Sequence, residues 1–391
     1  MTAELAPCGP PTQLSPPRKR ASRASDVRLP LDRAPLVANT ERLFELLSIA
    51  VAGMSASEID VARLISTSAV PALSLAVVEN GAISRVVAAG VRNATTREPV
   101  TEHTIFEAAS LSKPVVAYAV LQLVDAGVPS LDEPLARHVP DYIPDDPRAA
   151  TITVRHVLAH MTGLPNWRSD QRPLRTYFTP GEHFSYSGEG FVYLQRVVER
   201  IAGEPLDGVV SRLVFAPLGM RDSSFVWQNR FDANYAAPHD DALHPGAKFK
   251  PGAAKAAYSL QTTAADYARF LQAVLAGVRL EAKTARLWLT PQVNPPQGRY
   301  ESLEAEVPDR DPAVAWGLGW GLEPELGTFF HWGWNVGANA FAFGSPTRET
   351  ALVLLTNGDY GTEIVPEIVA AIFPGHRPSL AWLGYEPEGA P

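Results

Sequence analysis

The chain has 391 residues, 46% of them hydrophobic and 19% charged, enough for a sizeable core and unlike the composition of disordered chains or coiled coils. Its net charge of -8 supplies no basic field for nucleic acid and no attraction to an anionic membrane, so a small-molecule partner is expected. The one cysteine, Cys8, excludes an internal disulfide and a cysteine-based metal cluster.

Residues 1–38 are rich in Pro, Ser, Ala and Arg, with Arg18, Lys19, Arg20 and Arg23 clustered. Such a stretch buries too little apolar area to offset its ordering entropy and is expected to be a loose tail. It contains no apolar run of signal-peptide length, and no later run reaches the roughly 18 apolar residues of a membrane span. A cytoplasmic enzyme is the expectation. A catalytic domain is expected over 39–375, followed by an extension over 376–391.

Apolar spacing in Leu43, Phe44, Leu47 and Val51 predicts a helix, and Ile59, Val61, Leu64 and Ile65 predict a second. The period then shortens: Leu73 to Val78 and Ile83 to Val87 flank Asn80-Gly81, a dipeptide suited to the positive φ angles of a tight hairpin. From Ser110 to about residue 300 the signals are mostly helical: Val115 to Val124, Val154 to Leu158, Phe191 to Ile201 and Asp266 to Leu275. Strand character returns in Thr328 to Trp332, Asn339 to Phe343 and Ala351 to Leu355, and Ile364 to Ile372 reads as a closing helix. The implied fold is α+β, an antiparallel sheet from both chain ends with helices against it and a mostly helical insert over about 110–300.

Ser110 and Lys113 stand three apart at the expected start of an apolar helix, so they share a face. A serine hydroxyl is a weak nucleophile until a neighbour takes its proton, and a lysine shielded from water can be neutral enough to do so. The helix N-terminus favours the negative charge developing on the oxygen. Ser112 is a rival nucleophile, but adjacent side chains diverge on a helix. S-x-x-K alone is a common pattern.

Further on stand Phe184-Ser185-Tyr186-Ser187-Gly188-Glu189-Gly190 and His331-Trp332-Gly333-Trp334-Asn335. The ordered set S-x-x-K, Tyr-Ser-x and His-x-Gly resembles the serine β-lactamase and penicillin-binding superfamily, in particular class C β-lactamase-related esterases and D-amino peptidases. His160-Met161-Thr162-Gly163-Leu164-Pro165 resembles that family's His-Thr-Ser-Gly-Leu-Pro turn, and Pro217-Leu218-Gly219-Met220 its Pro-Leu-Gly-Met segment. The resemblance spans roughly residues 40–373.

It implies a β-lactamase/transpeptidase-like fold with a defined division of labour. Ser110 would attack an ester, amide or lactam carbonyl and Lys113 would take its proton. Tyr186 would pass a proton to the leaving group and activate the incoming water or acceptor. His331 stands where β-lactamases usually carry lysine, and would support Tyr186 and the substrate's polar end. The oxyanion hole would be the backbone N–H groups of Ser110 and Trp334. Gly188, Trp332, Gly333 and Trp334 would border the substrate.

Neither metal nor cofactor is implied. His239, Asp240, Asp241 and His244 could look like metal ligands but lie in a Pro/Gly-rich connection, where a solvated loop is expected. His160 is expected to be structural. Gly317-Leu318-Gly319-Trp320-Gly321 has the wrong spacing for a dinucleotide site, and G-x-S-x-G is absent.

Two departures bear on substrate. Many relatives carry Asn where this chain has Gly188, an amide that would touch the substrate or the lysine, and His331 replaces a cation. Both losses disfavour efficient lactam hydrolysis. Trp316, Trp320, Trp332 and Trp334 either line the cleft around an apolar acyl group or pack the core. The expected function is an esterase-type serine hydrolase acting on small esters or amides. An acyltransferase of related chemistry and a catalytically silent ligand sensor are the alternatives, the last disfavoured because both Ser110 and Lys113 are present.

Overall fold

The computed structural model describes residues 59–304 and 309–385. The tail with its basic cluster, Cys8 and the first predicted helix lie outside the described residues. The second predicted helix is α1, Val61–Thr67, capped by Asp60, which accepts the Arg63 amide.

The predicted hairpin is present as β1 (Ala72–Glu79) and β2 (Ala82–Gly90), joined through Asn80 and Gly81 at φ 53° and 71°. Next come the short strand β3 (Phe106–Ala109) and the helix α2 (Ser112–Asp125). The insert continues with α3 (Val154–Leu158), α4 (Gly188–Ala202) and α5 (Leu206–Val210). It then passes through strand β4 (Leu260–Thr262), α6 (Ala264–Ala276) and α7 (Ala282–Trp288). The chain closes with β5 (Ala315–Trp316), β6 (Gly321–Glu323), β7 (Thr328–Asn335), β8 (Ala338–Ser345), β9 (Thr350–Thr356), α8 (Val365–Ile372) and α9 (Pro378–Trp382).

Seven strands form one antiparallel sheet in the order β2-β1-β9-β8-β7-β6-β5, so the N-terminal hairpin joins the C-terminal strands through β1 and β9. Helix α6 packs across β1 and β9. The extension beyond 375 contributes α9, whose Trp382 packs against Phe330 and Trp332 of β7. Strands β3 and β4 form a separate pair that the sequence reading does not contain, being too short for a periodicity signal.

Two features of this frame position chemistry. Helix α2 is buried along its whole first half, from Ser112 to Leu121, as its all-round apolar sequence demands. Strand β3 packs against β7 and β8, carrying the chain that follows it toward the part of β7 beyond Phe330, where its pairing with β6 has ended. Among the described residues no helix is long and apolar enough to cross a membrane.

Candidate active site

Ser110 lies in the turn between β3 and α2, one residue before the helix cap, rather than within the helix itself. The β3–β4 register slips between Glu107 and Ala109, and Ala109 adopts φ 46°, a left-handed conformation that costs a non-glycine residue energy. The bulge and this strained residue swing the chain off the strand so that Ser110 heads the turn. The Lys113 amide donates to the Ser110 carbonyl at 3.0 Å, which closes it.

Lys113 is 1% exposed. Its Nζ donates to Ser110 Oγ at 3.0 Å and to the Ala257 carbonyl at 2.9 Å. Among the described residues no carboxylate contributes to its electrostatics, and burial holds its pKa well below the ordinary 10.5. A neutral amine retains a lone pair for the serine proton. Ser112 is ruled out as the nucleophile by its own bonds. Its hydroxyl donates to the Ala109 carbonyl at 2.6 Å and accepts the Leu260 amide at 2.9 Å, tying β3 to β4.

Tyr186 arrives from the segment preceding α4. That segment is pinned by the 160–166 turn: the Ser185 amide donates to the His160 carbonyl at 2.8 Å and the Ser187 amide to His160 Nδ1 at 3.0 Å. The His160 ring stacks on Tyr186 with centroids 4.2 Å apart. His160 is therefore structural, as expected, and what it holds is the tyrosine. Lys113 Nζ lies 4.7 Å from the centroid of the Tyr186 ring. The Tyr186 hydroxyl is buried with no well-formed hydrogen-bond partner among the described residues. Burial pushes its pKa up, offset in part by the neighbouring Ser110 hydroxyl, so the phenol keeps its proton.

His331, on β7, is fully buried. Its Nδ1 donates to the Trp332 carbonyl at 2.7 Å, which leaves Nε2 as a lone-pair acceptor without a partner among the described residues. Burial above all, with a lesser contribution from Lys113 whenever it is protonated, drives its pKa to about 3. It is thus a neutral imidazole, 6.1 Å between ring centroids from Tyr186, and supplies no cation to the cleft.

Gly333 is required by space. A Cβ there would meet the Ala108 carbonyl at 2.4 Å and the Ser110 amide at 3.1 Å, so only glycine lets β7 approach the nucleophile this closely. Behind this contact sits a feature that sequence reasoning missed. Glu107, 4% exposed, accepts Asn335 Nδ2 at 2.9 Å and the Tyr235 hydroxyl at 3.0 Å, which fixes the end of β7 to the strand that leads into Ser110. Burial raises its pKa against the lowering effect of those two donors.

The four tryptophans divide. Trp316 and Trp320 are fully buried and belong to the packing, whereas Trp332 and Trp334 are half-buried, and Trp332 borders the cleft with its ring 5.0 Å from that of Tyr186. His239 is not a loop ligand. It is buried, with Nδ1 against the Asn357 carbonyl at 2.8 Å and Nε2 accepting the Ala94 amide at 3.0 Å. Asp240 and His244 pair with each other at the surface. No metal-binding cluster occurs among the described residues.

A serine turned out of a short strand, with a buried amine behind it and a phenol beside it, against an antiparallel sheet edge, is the arrangement of the serine hydrolases of the β-lactamase superfamily. The chain belongs to the Beta-lactamase family, whose description it matches over residues 17–374. It is 32% identical to Esterase EstB of Burkholderia gladioli over 45% of this chain and 52% of that one. The match thus spans about half of the esterase's length. Penicillin-binding protein 4 of Amycolatopsis lactamdurans is 27% identical over 76% of this chain and 84% of its own. Among solved structures, a class C β-lactamase superposes with a TM-score of 0.66 at 20% identity, covering 81% of this chain and 95% of that one. The D-alanine carboxypeptidase AmpC from Burkholderia cenocepacia gives 0.65 at 19%, covering 85% and 99%.

Proposed function

We propose that the protein hydrolyses small esters through an acyl-enzyme on Ser110, with amides as slower substrates and lactams as poor ones. The observation that carries the reading is the 3.0 Å contact between Ser110 Oγ and a lysine whose pKa burial lowers well below its ordinary range. As Ser110 Oγ bonds to the carbonyl carbon, its proton passes to Lys113 Nζ. Tyr186 then donates its proton to the departing alkoxide and regains one from Lys113, completing the acyl-enzyme. In the second half a water attacks the ester, losing its proton to the same pair while the Ser110 oxygen regains one.

The oxyanion hole follows from the hairpin. Asn335 and Ala338 bracket the two-residue turn between β7 and β8, a position that forms a hydrogen-bonded pair. Alternation then directs the Trp334 N–H away from β8, toward the edge that Gly333 brings against Ser110. With the Ser110 N–H it offers two donors to the carbonyl oxygen, and one such donor is typically worth about 3 kcal/mol in the transition state.

The preference for esters rests on what the cleft lacks and on one relative. Gly188 offers no side-chain amide and His331 no charge for a lactam's polar groups, and the esterase of Burkholderia gladioli is among the similar proteins. Parallel assays with p-nitrophenyl butyrate and nitrocefin test it. The ester should turn over faster, and faster lactam turnover would overturn the preference.

A further inference from the structure

Among the described residues Lys113 Nζ has two hydrogen-bond partners, and only one of them is the nucleophile. The other, the Ala257 carbonyl at 2.9 Å, stands in a turn outside any strand or helix, just before β4. A carbonyl can only accept, so it claims one N–H of the amine and fixes how the rest of the group faces Ser110. Where that carbonyl sits therefore decides whether the Nζ lone pair can reach the serine proton.

A few bonds give this turn its shape. The Tyr258 and Ser259 amides both donate to the Lys255 carbonyl at 3.1 Å. At the exit, Ser259 Oγ accepts the Lys255 amide at 2.8 Å and donates to the Phe225 carbonyl at 2.9 Å. At the entrance the grip comes from Gln195, whose Oε1 accepts the Ala256 amide and whose Nε2 donates to the Ala254 carbonyl, both at 2.9 Å. A backbone N–H can only donate and a carbonyl only accept, which dictates how the Gln195 amide is turned. Its Nε2 also donates to Glu199, one turn further along α4, at 2.9 Å, so the side chain is itself braced. Ala254 and Ala256 are buried, where a backbone group left unpaired is costly.

Gln195 lies on α4, whose cap, Ser187, directly follows Tyr186. Phe191, near the start of the same helix, has its ring 5.7 Å from Lys113 Nζ. One helix thus carries the phenol at its start and, further along, the clasp on the backbone that holds the lysine. We infer that Gln195 is a positioning residue: by clasping Ala254 and Ala256 it presents the Ala257 carbonyl to Lys113, and so keeps the base aimed at Ser110 and in register with Tyr186. It acts through Lys113 and has no part in the bond changes themselves. The inference rests on the Ser110 reading above and adds a residue that works through its base.

The test replaces Gln195 by methionine, which keeps the volume and removes both clasping bonds. With p-nitrophenyl butyrate, Gln195→Met should lower kcat about tenfold and leave KM within about twofold, because the loss falls on proton transfer and not on the cleft. Labelling of Ser110 by a fluorophosphonate should slow by a similar factor. In that reaction the serine oxygen bonds to phosphorus as fluoride departs, and the serine proton passes to Lys113. In a Lys113→Met background, Gln195→Met should slow the residual labelling by less than about twofold, since a residue that works through the amine has nothing to position once the amine is gone. A general loosening of the site would slow labelling in both backgrounds, and that result would overturn the inference. A kcat within about twofold of the native value would overturn it too. Melting curves identify a variant that fails to fold. Gln195→Glu, which keeps an acceptor for the Ala256 amide and cannot donate to the Ala254 carbonyl, then carries the same comparison. Absence of labelling in the native protein would instead overturn the reading of Ser110 itself.

Discussion

Lys113 and Trp167 both adjoin the segment that carries Tyr186, yet they are held in opposite ways. Lys113, with His331 and Tyr186, forms a floor that is almost wholly buried and has no carboxylate among its hydrogen-bond partners, so desolvation sets each protonation state. Trp167, Tyr258 and Trp332 form a half-exposed rim, and Trp167 owes its place to ion pairs and backbone bonds such as Arg168–Glu189. The difference separates two kinds of control. Burial tunes proton transfer, which every substrate needs, whereas the rim can change its shape without disturbing that chemistry.

The largest effects should come from the floor and fall on all substrates alike. Lys113→Met should lower kcat for ester hydrolysis by about two orders of magnitude or more, the usual cost of losing a general base. It should also raise the melting temperature at neutral pH. A lysine whose folded pKa is depressed binds fewer protons folded than unfolded, so in the native protein stability declines as pH falls from the ordinary 10.5 toward the folded value. Methionine removes that cost. A variant both inactive and less stable would break the contrast between floor and rim.

Tyr186→Phe should cost about two orders of magnitude in kcat. The kcat profile should rise with pH through the folded pKa of Lys113 and level off well below 10.5, because the base must be unprotonated to act. His331 contributes nothing to that limb, being neutral above about 3. In acid it lowers stability, progressively from its ordinary 6.5 down to that value, because the unfolded chain takes up the proton first.

An intermediate effect belongs to the clamp beneath the floor. Glu107→Gln replaces an acceptor of two bonds with an amide that can keep only one by its oxygen. Denaturant unfolding should show a loss of about 1–2 kcal/mol. The smallest effect lies at the outer rim. The Arg172–Glu301 pair has an arginine 39% exposed, so Arg172→Ala should cost no more than about 1 kcal/mol and leave kcat unchanged.

The same division explains what could be read from the chain. Ser110 and Lys113 are legible because their contact is local, three residues apart around one turn, and the hairpin at Asn80-Gly81 and strands β7 to β9 are legible from alternation and turn chemistry. Tyr186 and His331 became candidates through the resemblance, since nothing local distinguishes a tyrosine aimed at a serine 76 residues away from a packed one. Glu107, Ala257 and Gln195 carry no such signal. Their roles arise only when β3 meets β7 and the 254–259 turn meets α4. The tryptophans are ambiguous for a related reason: Trp332 meets Tyr186 at the cleft, while Trp316 and Trp320 point into packing, and which of these holds is set by tertiary layers.

Mass spectrometry of the intact protein after exposure to a fluorophosphonate addresses the central assignment most directly. One covalent adduct should form, map to Ser110, vanish in Ser110→Ala and form far more slowly in Lys113→Met. An adduct on another residue, or one at Ser110 formed equally fast without Lys113, would contradict it.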